Sequence, residues 1–482
     1  MRIRGRTMQV SEKLVDNINK LNEIFPVGKS YDIVTRTFYF QDTKAYWIGI
    51  NGLCDNTLLQ QIVTNLQDPT YTMDAKISNL QLFMESKIGY VQTELCNDWD
   101  KIIKNILSGP SAIFVDGFPA AVLLDTRKYP ARSIEEPDTE KASRGAKDGF
   151  IETLSSNTAL IRRRIRNPKL SFERKSVGSE SKTDIAIAYV EGSIDNNLLT
   201  ELKQKLDNVM IPALTMGPKS LEELIVKKRW WNPLPQIRYT ERPDVACSFL
   251  LEGYILLIVD NFPCAMVFPC TLLQFTQNPE DYYQNPTVGN YLRLLRFVCI
   301  LISLFLLPVF LLFGMYSMEL PLGFKLVSDN SLNPMKLFAY VMLVELSLDI
   351  FKYSSMNASS GLSNSLGLIG GIIVGDVAME LKWATPEAVF FGAITMLATL
   401  SISSQEFGQA IRLYRYLLVI LTGFLRIWGF GIGFLLILIS VVTTPSFAGK
   451  SYLWPLIPFE WKALKTLLFR YPNAKYQAKN RK

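Results

Sequence analysis

Glu345 and Asp349 lie four residues apart in an otherwise apolar stretch, and Asp376 and Glu380 repeat that spacing. On a helix each pair shares one face. Acids at membrane depth are costly and must face protein, water or a counter-charge. Repeated around an oligomer axis, they select cations. Paired within one subunit, they are structural, and Arg426 is the candidate intramembrane partner, with Lys352 a second choice. Gly367, Gly371 and Gly375 run just ahead of Asp376 at four-residue spacing. Such a stripe lets backbones approach closely. It either packs one subunit or lines a narrow pore with Leu368 and Ile372.

Other chemistry is sparse. The 482 residues include no histidine, which removes the usual triads, His-ligated zinc and the commonest general base. No phosphate-binding glycine loop appears. The six cysteines form no C-x-x-C pair and read as small buried thiols of a reducing compartment. The expectation is a non-enzyme without cofactor or metal. Arg162, Arg163, Arg164 and Arg166 form a basic cluster without interleaved aromatics. Acidic lipid, nucleic acid and a neighbouring subunit are the candidate partners, and a subunit contact or a solvated helix face suits it better than nucleic acid.

These residues need elements to hold them. Phe297 to Met318 is twenty-two residues without a charge, enough to cross a bilayer as a helix. Arg293 and Arg296 precede it, so the positive-inside bias puts the preceding part in the cytosol. Four more apolar segments follow, at 337–351, 362–379, 388–404 and 416–442. The tail is basic, with Trp454 and Trp461 as interfacial anchors. Two cytosolic ends require an even number of crossings, and five segments are odd. The short 337–351 segment is therefore expected to be re-entrant or interfacial, or 416–442 to bend at Gly429, Gly431 and Gly433.

The front half is duplicated. NGLCDNTLLQQIVTNL at 51–66 parallels EGSIDNNLLTELKQKL at 191–206, and IFVDGFPAAVLL at 113–124 parallels LIVDNFPCAMVF at 257–268. The offsets are 140 and 144 residues. Each copy reads strand, turn, helix, then a hairpin at Asp-Gly or Asp-Asn. The expected architecture is a cytosolic α/β head of two repeated subdomains followed by a polytopic α-helical membrane domain. Its parts are an N-terminal segment 1–29, subdomains 30–130 and 183–290 around a polar linker 131–182, a transmembrane domain 291–445 of four or five helices, and a basic cytosolic tail 446–482.

RSIEEPDTEKASRGAKDGF, NTALIRRRIRNPKL, ERPDVACSFLLEGYILLIVDNFP and NPEDYYQ are long, specific strings. Through them the chain resembles the A subunits of the GerA-type spore germinant receptors over roughly residues 100–470. LRLLRFVCILISLFLLPVFLLF, MYSMELPLGFKLVSDN and SYLWPLIPFEWKALKTLLFRYP depart from the receptor subunits and are similar to a paralogous branch of that family. The resemblance implies a multi-pass protein of the spore inner membrane that forms ring homo-oligomers, pentamers by family likeness, and conducts ions. It further implies amplification of the germination response with a small membrane partner and other germination proteins. The alternatives are the A subunit of a nutrient-gated receptor and a non-conducting scaffold.

Overall fold

The structure is a computed structural model, and it describes residues 9–40, 43–67, 80–88, 90–130, 145–226, 229–316, 333–357, 379–447 and 451–470. The chain divides into two compact units. One comprises Met1–Lys227 and Ile237–Pro269, the other Lys228–Gln236 and Cys270–Lys482.

The first unit carries the duplication as two five-stranded antiparallel sheets. The first holds β1 (Ile33–Phe40), β2 (Thr43–Ile50), β3 (Thr93–Cys96), β4 (Ser111–Val115) and β5 (Ala121–Leu124), in the order β1-β2-β4-β5-β3. The second holds β6 (Leu170–Val177), β7 (Thr183–Val190), β8 (Arg238–Thr240), β9 (Ile255–Val259) and β10 (Ala265–Phe268), in the matching order β6-β7-β9-β10-β8. Central strands β4 and β9 are buried along their whole length. Their uninterrupted apolar runs fit strands covered on both faces. In the first copy α1 (Leu14–Ile24) and α4 (Trp99–Ser108) pack on the face that carries Ala112 and Phe114. The helices α2 (Asn56–Gln67) and α3 (Leu80–Lys87) pack on the face that carries Ile113 and Val115. In α4, Trp99, Ile102 and Ile106 recur at helical spacing, Asp98 caps the start, and Gly109 ends it at φ 113.

The copies begin earlier than the sequence suggested. Asp116, in the β4–β5 turn, accepts the backbone N–H of Leu14 at 2.9 Å. Asp260, in the β9–β10 turn, accepts that of Leu154 at 3.0 Å, the first residue of α5 (Leu154–Arg164). Each repeated acid thus satisfies an orphan donor at the start of a helix from the beginning of its own copy. Buried Asn17 and Asn157 clamp the preceding loops in the same way, through Ser11 and Ile151. So α1 is part of the first copy rather than a separate segment 1–29. Likewise α5 and β6 belong to the second copy rather than to a linker 131–182, and residues 270–290 group with the helical unit. In the second copy the remaining helices are α6 (Asn196–Asp207), α7 (Pro218–Ile225) and α8 (Pro243–Leu251).

The second unit is helical: α9 (Glu280–Tyr283), α10 (Pro286–Met315), α11 (Pro334–Asn357), α12 (Pro386–Leu400), α13 (Gln405–Thr443) and α14 (Trp461–Leu468). Asn-Pro, Asn-Pro and Thr-Pro open α10, α11 and α12. Each polar side chain accepts an N–H of the first turn, and Pro sits where its missing donor costs nothing. Among the described residues α10 and α13 are long and apolar enough to cross a membrane.

The 337–351 segment lies within the 24-residue α11, which runs antiparallel to the start of α13: Phe338 meets Phe424, Glu345 meets Arg415 and Asp349 meets Arg412. The long C-terminal segment does fold back, but at Arg426 (φ 52, ψ −130) rather than at its glycines. That backbone region costs a bulky residue about 1–3 kcal/mol. Gly429 and Gly433 instead line the seam between arms 405–425 and 427–443. A Cβ on Gly429 falls 1.9 Å from the Leu421 carbonyl oxygen, and one on Gly433 falls 2.8 Å from Leu418. The Tyr414 and Ser440 hydroxyls, 2.6 Å apart, close the open end of this hairpin.

Candidate functional site: a charged layer inside the helical bundle

Four helices bring polar groups together at one level of the bundle. Ser303 comes from α10, Glu345 from α11, Thr399 from α12 and Arg415 from α13. Arg415 Nε lies 2.6 Å from Glu345 Oε1, and both side chains are 3% exposed. Its Nη2 donates to Glu345 Oε2 at 3.1 Å. Its Nη1 donates to the Ser303 carbonyl at 2.7 Å and also reaches the Ser303 and Thr399 hydroxyls. The hydroxyls of Ser303 and Thr399 are 2.7 Å apart. This charge pair is nearly fully hydrogen-bonded, which is what makes it tolerable away from water. Breaking such a pair by deleting one partner costs about 3–5 kcal/mol.

One turn along α11, Asp349 pairs with Arg412 at 2.9 Å and accepts the Tyr416 hydroxyl at 2.8 Å. This pair is less enclosed: the Asp349 side chain is 26% exposed and Arg412 15%. Half-buried Lys352 adds a third cation to the layer. Two carboxylates therefore face three cations.

The remaining expected residues are scattered. Arg426 is not the partner of either acid; its guanidinium lies 5.9 Å from the centre of the Tyr316 ring, at the hairpin turn. Glu380 is exposed. Gly367, Leu368, Gly371, Ile372, Gly375 and Asp376 lie outside the described residues. The basic cluster of the first unit divides by residue. Arg162 is fully buried and unavailable for a subunit contact. Its Nε donates to Asp32 at 2.7 Å, and its Nη atoms donate to the carbonyls of Asn167 and Leu170. It joins the two copies, together with the N–H of Tyr31 bonding the Phe172 carbonyl. Arg164 holds Asp148 at 2.5 Å, and Arg163 covers the Tyr129 ring. Arg163 and Arg166 keep exposed surface.

Sequence reading missed Arg412 and Arg415, which looked like a positive flank before an apolar run. The available signal was their three-residue spacing, which matches the four-residue spacing of the acids on an antiparallel helix. All six cysteines are free. Burial pushes the Cys247 and Cys264 thiols up to about 12, so neither is a nucleophile at neutral pH.

A duplicated α/β unit joined to an apolar bundle with an internal ion-pair layer defines a class, and sequence comparison supplies its family. The pattern of the Bacillus/Clostridium GerA spore germination protein family matches residues 19–482, and the chain belongs to that family. It is similar to stage V sporulation protein AF of Bacillus subtilis (strain 168), with 35% identity across 93% of this chain and 91% of that one. Spore germination protein KA of the same organism is 28% identical across 97% and 86%. The crystal structure of the N-terminal domain of the A subunit of the Bacillus megaterium spore germinant receptor GerK3 aligns at 24% identity and a TM-score of 0.41, covering 55% of this chain and 97% of that one.

Proposed function

We propose that this family member is a non-catalytic, multi-pass membrane subunit that self-associates and passes cations during spore germination. Its duplicated α/β unit is assigned to the cytosolic side. The observation that carries the reading is the Asp349–Arg412 pair. It stays partly open on an α11 face whose neighbours Leu346, Ile350 and Tyr353 are exposed and largely apolar. Lipid cannot solvate such a pair. A second copy or a water-filled path between copies can. Glu345, by contrast, is consumed by Arg415 inside one subunit, so Asp349 is the acid left to a pathway.

The hairpin at Arg426 also eases the parity problem. With α10, α11, α12, two arms of α13 and the one crossing that the sequence suggests for the glycine-rich stretch, the count is six. An even count leaves the first unit and the basic tail on one side, and Arg293 and Arg296 assign that side to the cytosol. Similarity to stage V sporulation protein AF and to spore germination protein KA supports a role alongside other germination proteins.

A second reading, a non-conducting scaffold, is favoured by one observation: both acids of the charged layer, Glu345 and Asp349, are paired with arginines, and cations are in excess there. Reconstitution of the purified chain in planar bilayers decides between them. The conducting reading expects cation current from assembled protein. Oligomers that pass no current, with or without other germination proteins, defeat it.

A further inference from the structure

The other buried charge cluster of the helical unit has an imbalance. Asp281 of α9 is fully enclosed and takes Arg296 Nη2 at 2.9 Å, Arg296 Nη1 at 3.0 Å and Arg293 Nε at 3.2 Å. Arg470, just past α14, comes to the same place. Its Nη1 donates to the Asp281 carbonyl at 2.8 Å and to that of Gln284. Asn290 holds the Arg470 main chain through its side-chain amide. Gly289 makes the approach possible: a Cβ there falls 2.5 Å from the Asp281 carbonyl oxygen and 3.4 Å from the Arg470 side chain.

Three guanidinium groups thus gather around one carboxylate, which pairs with Arg293 and Arg296 and not with Arg470. Two of their donors, Arg293 Nη2 and Arg470 Nε, are buried without a hydrogen-bond partner. Arg293 is itself only 3% exposed. A buried, unmatched charge and unmade hydrogen bonds are both costly, and an anion relieves both. Tyr282, half-exposed, lies across the Arg293 guanidinium at 5.0 Å. The surroundings indicate where that anion comes from. Arg296 directly precedes the uncharged run, and Tyr291 and Leu294 stand exposed beside it. That combination of aromatic, aliphatic and basic groups belongs at the edge of a bilayer.

The geometry points to a phosphate-binding site formed by Arg293, Arg296 and Arg470, with the headgroup of an acidic phospholipid as its natural occupant. The planar forks of these arginines suit phosphate oxygens. The lipid source rests on the membrane reading above; the phosphate chemistry does not.

The test uses the full chain purified from phosphatidylcholine membranes with and without phosphatidylglycerol, with retained lipid counted by native mass spectrometry. Selective retention of phosphatidylglycerol is expected, weakened about tenfold or more in Arg470→Gln and in Arg293→Gln, as loss of a charge-assisted contact implies. Lys104→Gln, on the exposed face of α4 in the first unit, is expected to leave retention unchanged. Inorganic phosphate titrated into lipid-free detergent solution separates the sources. Thermal stabilisation of wild type but not Arg470→Gln, without phosphatidylglycerol retention, keeps the phosphate site and assigns it a soluble ligand. Because Arg470→Gln also loosens the tail, Asn290→Ala is its companion, removing an anchor but no charge. Lipid loss in Asn290→Ala equal to that in Arg470→Gln overturns the site. So does equal retention of both lipids with no response to phosphate. A cation-current failure in the bilayer experiment leaves this outcome untouched.

Discussion

Arg162 and Arg415 are both buried, both paired with a carboxylate and both hydrogen-bonded to backbone carbonyls, yet they serve different ends. Arg162 is a single rivet between two copies of an α/β subdomain, reaching Asp32 across 130 residues of chain. Arg415 belongs to a ladder, with Arg412–Asp349 one turn away and partly open. A rivet needs one charge pair. A ladder whose outer rung meets the surface of an apolar bundle needs something beyond the subunit to cover it. That contrast underlies the proposal: Arg162 and Glu345–Arg415 are enclosed, whereas Asp349–Arg412 is the partly exposed pair to which the proposed pathway is assigned.

The largest effect is expected at the ladder. Arg415→Ala strands Glu345 in the bundle and should cost about 3–5 kcal/mol in denaturant melts of the purified chain. Replacing both partners with leucine should recover much of that loss. If Arg415→Ala melts like wild type, the inner rung is not what holds the four helices. Next comes the rivet. Arg162→Ala should cost about 3 kcal/mol by stranding Asp32, and exposed Arg166→Ala should stay within about 0.5 kcal/mol. Equal effects at both would erase the distinction drawn within that cluster.

The hairpin seam comes third. Gly429→Ala pushes a methyl group into the Leu421 carbonyl and should cost about 1–3 kcal/mol. At Gly431 nothing lies within 4 Å of an added Cβ. Gly431→Ala should therefore be neutral or slightly stabilising. Similar melting of the two variants would contradict the folded-back arm.

The smallest effect is in the first unit. Burial raises the Tyr31 phenol from 10.0 to about 12, so the fold favours its neutral form. This contribution is complete below pH 10 and lost as pH rises from 10 towards 12. Tyr31→Phe should flatten that part of the alkaline melting curve. An unchanged slope would mean that the junction beside Thr158 is already open.

Much of this was legible in the chain. The repeated VDGFP and VDNFP strings located both hairpins, because turn chemistry is local. The uncharged run from Phe297 located α10, because bilayer thickness sets a length. What escaped was partnership at a distance. Nothing local says that Asp116 and Asp260 start helices more than a hundred residues upstream. Four arginines in five positions looked like one surface, although helical geometry turns Arg162 inward and Arg166 outward. Arg426 looked like the counter-charge because it sat inside an apolar run. Arg412 and Arg415, just outside that run, have the register that antiparallel packing on α11 requires.

The most direct test of the account is the reversal potential of reconstituted protein in planar bilayers under a potassium chloride gradient. Wild type is expected to be cation-selective. Asp349→Asn, assembling normally, should shift the reversal potential towards zero, because it removes the acid of the outer rung. An assembled Asp349→Asn protein with unchanged selectivity, or a wild-type oligomer without current, would contradict the assignment of that rung to an ion path.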